Sequence, residues 1–208
     1  LRSIAPNGRM SNFFLNASPE EQNKPPFFVC KRFNFDDFLV KKINHNYANF
    51  LTNTKITDIV KDSVEWKLSG ISNKEEIQIE CKLVVGADGD HSILLKYLNE
   101  RKIDRSNYAG SVRQYWEGVG NMHEKKLLEF YFPKNLPMSY FWIFPLPNGA
   151  ANVGYGMVSK LAVKHKVNFR NQFQKIIESD PAIAYRFKNA KPIGEAEGWG
   201  LPLASLKR

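Results

Sequence analysis

The sequence predicts an α/β fold, an α+β mix in which antiparallel sheets are flanked by helices. Three observations lead there. Phe35, Phe38, Leu39 and Ile43 recur at the spacing of one helix face. Val64, Trp66 and Leu68, and then Ile77 and Ile79, alternate with polar residues as in half-buried strands. Finally SVRQYWEGV, KLLEFYF, SYFWIFPL and AANVGYGMV follow one another between 110 and 158, rich in the aromatic and β-branched residues that suit a pleated sheet.

The elements follow in order. Residues 1–26 are polar and read as strand fragments and loops, and FFVCKR (27–32) as a short strand. Asn34 is the expected N-cap of a helix over 35–48, with Asp36 and Asp37 in its first turn. TKITDIV, SVEWKLSG and EEIQIECKLVVGAD are expected as antiparallel strands. Leu83, Val84 and Val85 break the alternation and suggest a strand covered on both faces. It runs into Gly86-Ala87-Asp88-Gly89, and a short helix is expected from about Ser92. A continuous antiparallel sheet over 110–158 precedes helices at 166–178 and in PAIAYRF, then a last strand from Lys191 into extended chain. Two domains are expected, 1–104 and 105–208.

At 208 residues and 43% hydrophobic, the chain has ample material for a buried core. No apolar run approaches the roughly 18 residues that span a bilayer. LRSIAPNGRM lacks the apolar stretch of a secretory signal, and its missing initiator Met suggests a piece of something longer. Cys30 and Cys81 stand in unrelated contexts, which suits a reducing, cytoplasmic setting. His45, His91, His123 and His165 are scattered, so no metal site is expected. Asn16 heads an Asn-Ala-Ser triplet to which no weight is given. The formal charge of +9 fits a lysine-rich surface, an anionic small ligand or contact with an anionic membrane; without a basic stripe, nucleic acid is not an expected partner.

Two motifs carry chemistry. In VVGADGDHS an apolar strand meets a glycine-rich turn and a helix start, a device that lets backbone approach a ligand closely. An ordinary Asp-Gly turn reads equally well. Upstream, Arg32 is followed by Phe35 and Asp36. Arg-x-x-Phe-Asp and then Gly-Ala-Asp-Gly-x-x-Ser, in that order, resemble the flavoprotein monooxygenase and reductase superfamily that includes p-hydroxybenzoate hydroxylase. Tyr140-x-Trp142-x-Phe144-Pro145, eight residues, then Gly154-x-Gly156 resembles the substrate-cavity signature of its geranylgeranyl reductase branch.

That resemblance implies a flavin oxidoreductase that reduces carbon–carbon double bonds of isoprenoid chains, using FAD and NAD(P)H or another reductant. It implies Arg32, Gly86, Asp88 and Gly89 as cofactor-binding residues, and Tyr140, Trp142, Phe144, Pro145, Gly154 and Gly156 as substrate-binding residues. Residues 1–104 would then be a partial FAD-binding domain and 105–208 an antiparallel-sheet substrate domain, with a hydrophobic ligand as partner and peripheral membrane contact. The family's N-terminal G-x-G-x-x-G and its later Gly-Asp motif are absent from the sequence, so a fragment is expected, with weak flavin binding or none. No catalytic residue stands out. Two rivals stay open: a flavin monooxygenase or halogenase acting on an aromatic, and a non-catalytic lipid-binding domain.

Residues 140–156 pose a geometric question. Alternation puts Tyr140, Trp142 and Phe144 on one face of a strand and Phe141 and Ile143 on the other. A two-residue Asn148-Gly149 turn would set the glycines across from Phe141 and Ile143. A pairing offset by one residue would set them beside the three aromatics, and only that register makes room for a ligand there.

Overall fold

The structure is a computed structural model that describes residues 1–13, 28–98 and 104–203. The chain divides into two compact units, Leu1–Asp36 with Asp104–Arg208, and Asp37–Ile103.

In the first unit lie β1 (Arg2–Ile4), β2 (Met10–Asn12), the start of α1 (Arg32–Val40), β6 (Tyr108–Glu117), β7 (Glu129–Tyr131), β8 (Ser139–Pro145), β9 (Ala150–Val158), α3 (Ser159–Lys164), α4 (Phe169–Ser179), α5 (Ala184–Phe187) and β10 (Lys191–Pro202). Seven strands form one sheet in the order β10-β6-β9-β8-β7-β1-β2. All neighbours run antiparallel except β1 and β7, so the sheet is mixed and reaches beyond the expected 110–158 at both edges. Alternation divides its faces. Val112, Phe141, Ile143, Ala151, Val153 and Tyr155 are wholly buried on one of them. Phe173, Ile176 and Ile177 of α4 complete that core, with Phe173 tilted against Phe141 at 5.9 Å. Asn168 caps α4 by accepting from the Asn171 amide at 3.0 Å.

The same core holds a buried ionic group. Glu129 and Arg186 are 1% and 3% exposed. Arg186 Nη1 donates to Glu129 Oε2 and to the Tyr131 hydroxyl, while Nε donates to the Gly120 carbonyl at 2.9 Å. Arg2 Nη1 stands 3.8 Å from Glu129 Oε1. One guanidinium thus ties α5 to β7 and to the loop after β6. Burial foremost pushes the Tyr131 hydroxyl far up, aided by the Glu129 carboxylate, so it remains a neutral donor to Glu129.

The second unit contains β3 (Thr54–Lys61), β4 (Trp66–Ser72) and β5 (Glu75–Cys81) in an antiparallel meander, then α2 (Ile93–Tyr97). α2 begins where the sequence places it, and Ser92 is its N-cap, accepting from the Leu95 amide at 3.3 Å.

Several expectations are corrected. Residues 28–31 form no strand, and α1 begins at Arg32, so Asn34 lies inside the helix. The helix stops at Val40, not 48. The Lys42 and Ile43 amides bond only three residues back, to Leu39 and Val40 at 3.0 and 3.1 Å, and the Asn44 side chain then takes the Asn46 amide at 2.9 Å in a further turn. Leu83 and Val85 are 75% and 77% exposed and pair with no described strand: apolar sequence supplies the propensity for a doubly covered strand, but neighbours must supply the covers. α3 was not expected. Phe27 and Asn16 lie outside the described residues.

Candidate functional site

The hairpin of β8 and β9 settles the register. Tyr140 pairs with Gly156, Trp142 with Gly154 and Phe144 with Asn152. The loop is one residue longer than a two-residue turn: Pro147, Asn148 and Gly149 bulge between Leu146 and Ala150, whose backbones bond at 2.8 Å. Asn148 and Gly149 both take positive φ, 59° and 74°, which suits those residue types. The glycines therefore lie beside the aromatics.

On this open face the rings make one surface. Trp142 lies between Tyr140 (5.7 Å) and Phe144 (6.1 Å), and Phe130 of β7 closes the row against Phe144 at 5.1 Å. Gly154 supplies the floor: a methyl group there would overlap the Trp142 indole, whereas one on Gly156 would meet its neighbours at 3.6–3.7 Å, ordinary contact. The indole N–H donates to Asn152 Oδ1 at 3.2 Å.

A cleft of about 460 Å³ stands over this surface. Its far side is polar. Arg113 on β6 bonds Glu197 of β10 at 2.9 Å and lays its guanidinium over the Tyr115 ring at 4.9 Å. Arg32 donates its backbone N–H to the Tyr115 hydroxyl at 3.0 Å and pairs its exposed side chain with Asp36 at 3.1 Å. Trp199, 71% exposed, and Leu201 line the mouth. The arrangement can seat an elongated apolar molecule against aromatic faces, with a polar end toward β6. Of the residues expected to bind a ligand, Arg32, Tyr140, Trp142 and Phe144 line this one cleft. Pro145 is buried at the strand end.

Gly86, Asp88 and Gly89 lie in the second unit. Gly86 and Asp88 line a separate pocket of about 430 Å³ with Ile59, Leu68 and Leu94. Gly89 adopts φ 78°. The Asp88 carboxylate accepts from the Ile93 amide at 2.9 Å and so serves the start of α2. The Ser92 hydroxyl, more than that backbone bond, holds Asp88 below the usual carboxylate range, with burial opposing. Because the folded value is depressed, this stabilisation is complete above the unfolded value of about 3.9 and fades as pH falls through the lower folded one. An NMR titration of the Asp88 side chain should therefore show a midpoint below that of a free aspartate. The Ile93 amide should move with it and cease to do so in Asp88→Asn; a midpoint at or above the free value contradicts this assignment.

Residues 109–194 match the model of the geranylgeranyl reductase catalytic domain. That stretch is similar to the geranylgeranyl reductase family. A digeranylgeranylglycerophospholipid reductase of Methanosphaera stadtmanae is 31% identical over 170 residues, which is 80% of this chain and 39% of that protein. A geranylgeranyl bacteriochlorophyll reductase-like structure from Thermoplasma acidophilum superposes with a TM-score of 0.75 at 20% identity, covering 98% of this chain and 49% of that one. A flavin-dependent brominase shares the fold, with a TM-score of 0.71 at 18% identity over 96% of this chain and 49% of the other. The chain spans about half the length of the curated relatives it matches.

The geranylgeranyl reductase match covers all of β6 to α5 apart from Tyr108, and so contains the aromatic wall, its glycine floor and Arg113. Sequence reasoning missed Phe130, Asn152, Arg113, Trp199 and Leu201. Asn152 and Arg113 become visible only once the β8–β9 and β6–β9 registers are known. Trp199 pairs across 88 positions with Ser111, and no local pattern announces that. Phe130 sat in an expected strand whose partner was unspecified.

Proposed function

We propose that this chain forms the substrate-holding part of a flavin-dependent reductase that saturates carbon–carbon double bonds in isoprenoid, geranylgeranyl-type chains. The observation that supports this best is the wall of Phe130, Tyr140, Trp142 and Phe144 standing over Gly154 and Gly156: the sheet gives up side-chain volume where the aromatics need space above them. A prenyl chain is flat at each alkene, apolar and without hydrogen-bonding groups, which such a wall matches. The catalytic-domain match and the named reductases among its relatives favour it over the brominase, which shares only the fold.

FAD is the cofactor of this reading, and the residues present fit it in part. Arg32 offers an exposed guanidinium at the cleft, where it would hold a polar edge of the flavin beside the wall. The Gly86–Gly89 turn would offer backbone N–H groups, Asp88 being engaged by α2. The proposed assignment of 1–104 to the cofactor and 105–208 to the substrate follows, although residues 1–36 group with the second of these. When bound, flavin would supply the hydride chemistry for saturating an alkene, a proton from solvent completing the addition and NAD(P)H or another reductant supplying the electrons. The wall fixes the alkene's orientation, and its apolar rings exclude water. No helix among the described residues is long and apolar enough to cross a membrane. The net charge of +9 supports delivery from an anionic lipid surface, so added salt should weaken uptake from such vesicles.

Geranylgeraniol titrated into the 208-residue chain should bind, and Trp142→Ala should weaken it at least tenfold, about 1.4 kcal/mol. Equal affinity in chain and variant removes the cleft from the substrate path.

A further inference from the structure

We propose that Asn152 is a positioning residue: its amide oxygen holds the Trp142 indole down across Gly154 and thereby keeps the cleft open. The inference rests on the cleft being the substrate site, but its geometric half stands on its own. Trp142 and Gly154 are direct cross-strand partners, and Asn152 is the next residue of β9 on the same face. The indole can lie flat only because Gly154 has no side chain, and its pyrrole edge then reaches Asn152 Oδ1 at 3.2 Å. Tyr140 and Phe144 flank the ring at 5.7 and 6.1 Å, and the hydrogen bond its N–H makes goes to Asn152.

The alternative position follows from the same chemistry. An indole N–H among aromatic rings is stabilised by an acceptor, since a desolvated donor left unpaired is unfavourable. Without Asn152 the N–H loses its partner on the sheet, and the ring regains one by swinging off the Gly154 floor toward solvent. That movement puts the largest side chain of the wall into the space of about 460 Å³ that the flat position leaves free. Asn152 thus sets the depth of the cleft whose lining it shares.

The test uses the full chain labelled with ¹⁵N-indole tryptophan, the Trp142 signal being identified by its loss in Trp142→Phe. With no lipid present, Asn152→Ala should speed solvent exchange of the Trp142 indole proton at least tenfold, and Asn152→Asp, which keeps an acceptor, should restore slow exchange. Geranylgeraniol affinity should fall about tenfold in Asn152→Ala, recover in Asn152→Asp, and be insensitive to Asn152→Ala when Trp142 is already Phe. Unchanged exchange in Asn152→Ala, or an equal loss of affinity in the Trp142→Phe background, overturns the proposal. Slow exchange lost in Asn152→Ala alongside no geranylgeraniol binding by the unaltered chain confirms the anchoring and overturns instead the substrate reading.

Discussion

Glu129→Gln should lower stability by about 3–5 kcal/mol, the usual consequence of leaving one member of a buried pair without its partner. The reason is the Arg186 guanidinium, 3% exposed and without a route to water. Burial itself works against its charge, yet contact with Tyr131 and Glu129 raises its pKa further, so it stays ionised. Gln at 129 keeps the shape but removes the counter-charge, and Arg2, at 3.8 Å, then adds repulsion that the carboxylate had balanced. Two atoms sharpen the case: Glu129 Oε1 and Arg186 Nη2 are buried without hydrogen-bond partners, so the group is an expensive one even intact. It follows that the double change Glu129→Leu with Arg186→Met should recover most of the loss. Urea denaturation followed by tryptophan fluorescence checks both. A single variant within 1 kcal/mol of the parent would mean that the pair is solvated in ways its burial does not suggest.

Gly154→Val should also destabilise the chain, by less and by a different route. Its branched side chain would occupy the volume of the Trp142 indole, and overpacking of this kind costs about 1–3 kcal/mol. No backbone strain is involved, because Gly154 is an ordinary strand residue. Either Trp142 stays and β9 is pushed from β8, or Trp142 rises into the cleft. Gly156→Ala is the control, since its methyl would sit at 3.6 Å from Ser111 and 3.7 Å from the indole. Thermal unfolding and geranylgeraniol binding should both suffer in Gly154→Val, and both should be close to unchanged in Gly156→Ala. Equal effects at the two positions would show that the floor is not specific to the indole.

What the sequence revealed divides along a physical line. Elements whose pattern is local were legible: the β3–β5 meander, the start of α2, the helix α4, and the aromatic parity of β8. Features that depend on a second segment were not. Three consecutive apolar residues, Leu83 to Val85, promised a covered strand, but covering is a property of neighbours. The helix α1 was drawn too long because Asn44 was weighed as a helix residue, while its side chain bonds the backbone two residues on. At the site, the motif named the wall from Tyr140 to Phe144, yet the choice between core and cavity hung on one extra loop residue, Pro147. Arg113, opposite Gly154, and Trp199, reached through β6, became part of the cleft only by pairing across the sheet.

The connectivity of the large sheet also has a consequence in time. Ser139 to Pro145 meets Ala151 to Met157 through a three-residue loop, so this hairpin closes with little loss of chain entropy. Arg2 must find Glu129 across 127 positions and Pro202 must find Tyr108 across 94, which makes both edges of the sheet late events. The aromatic wall and its glycine floor are therefore expected to assemble first, with the polar side of the cleft laid against them afterwards. A nascent chain of this kind would carry an apolar, unroofed hairpin until its outer strands docked, the stage at which it is most exposed to aggregation.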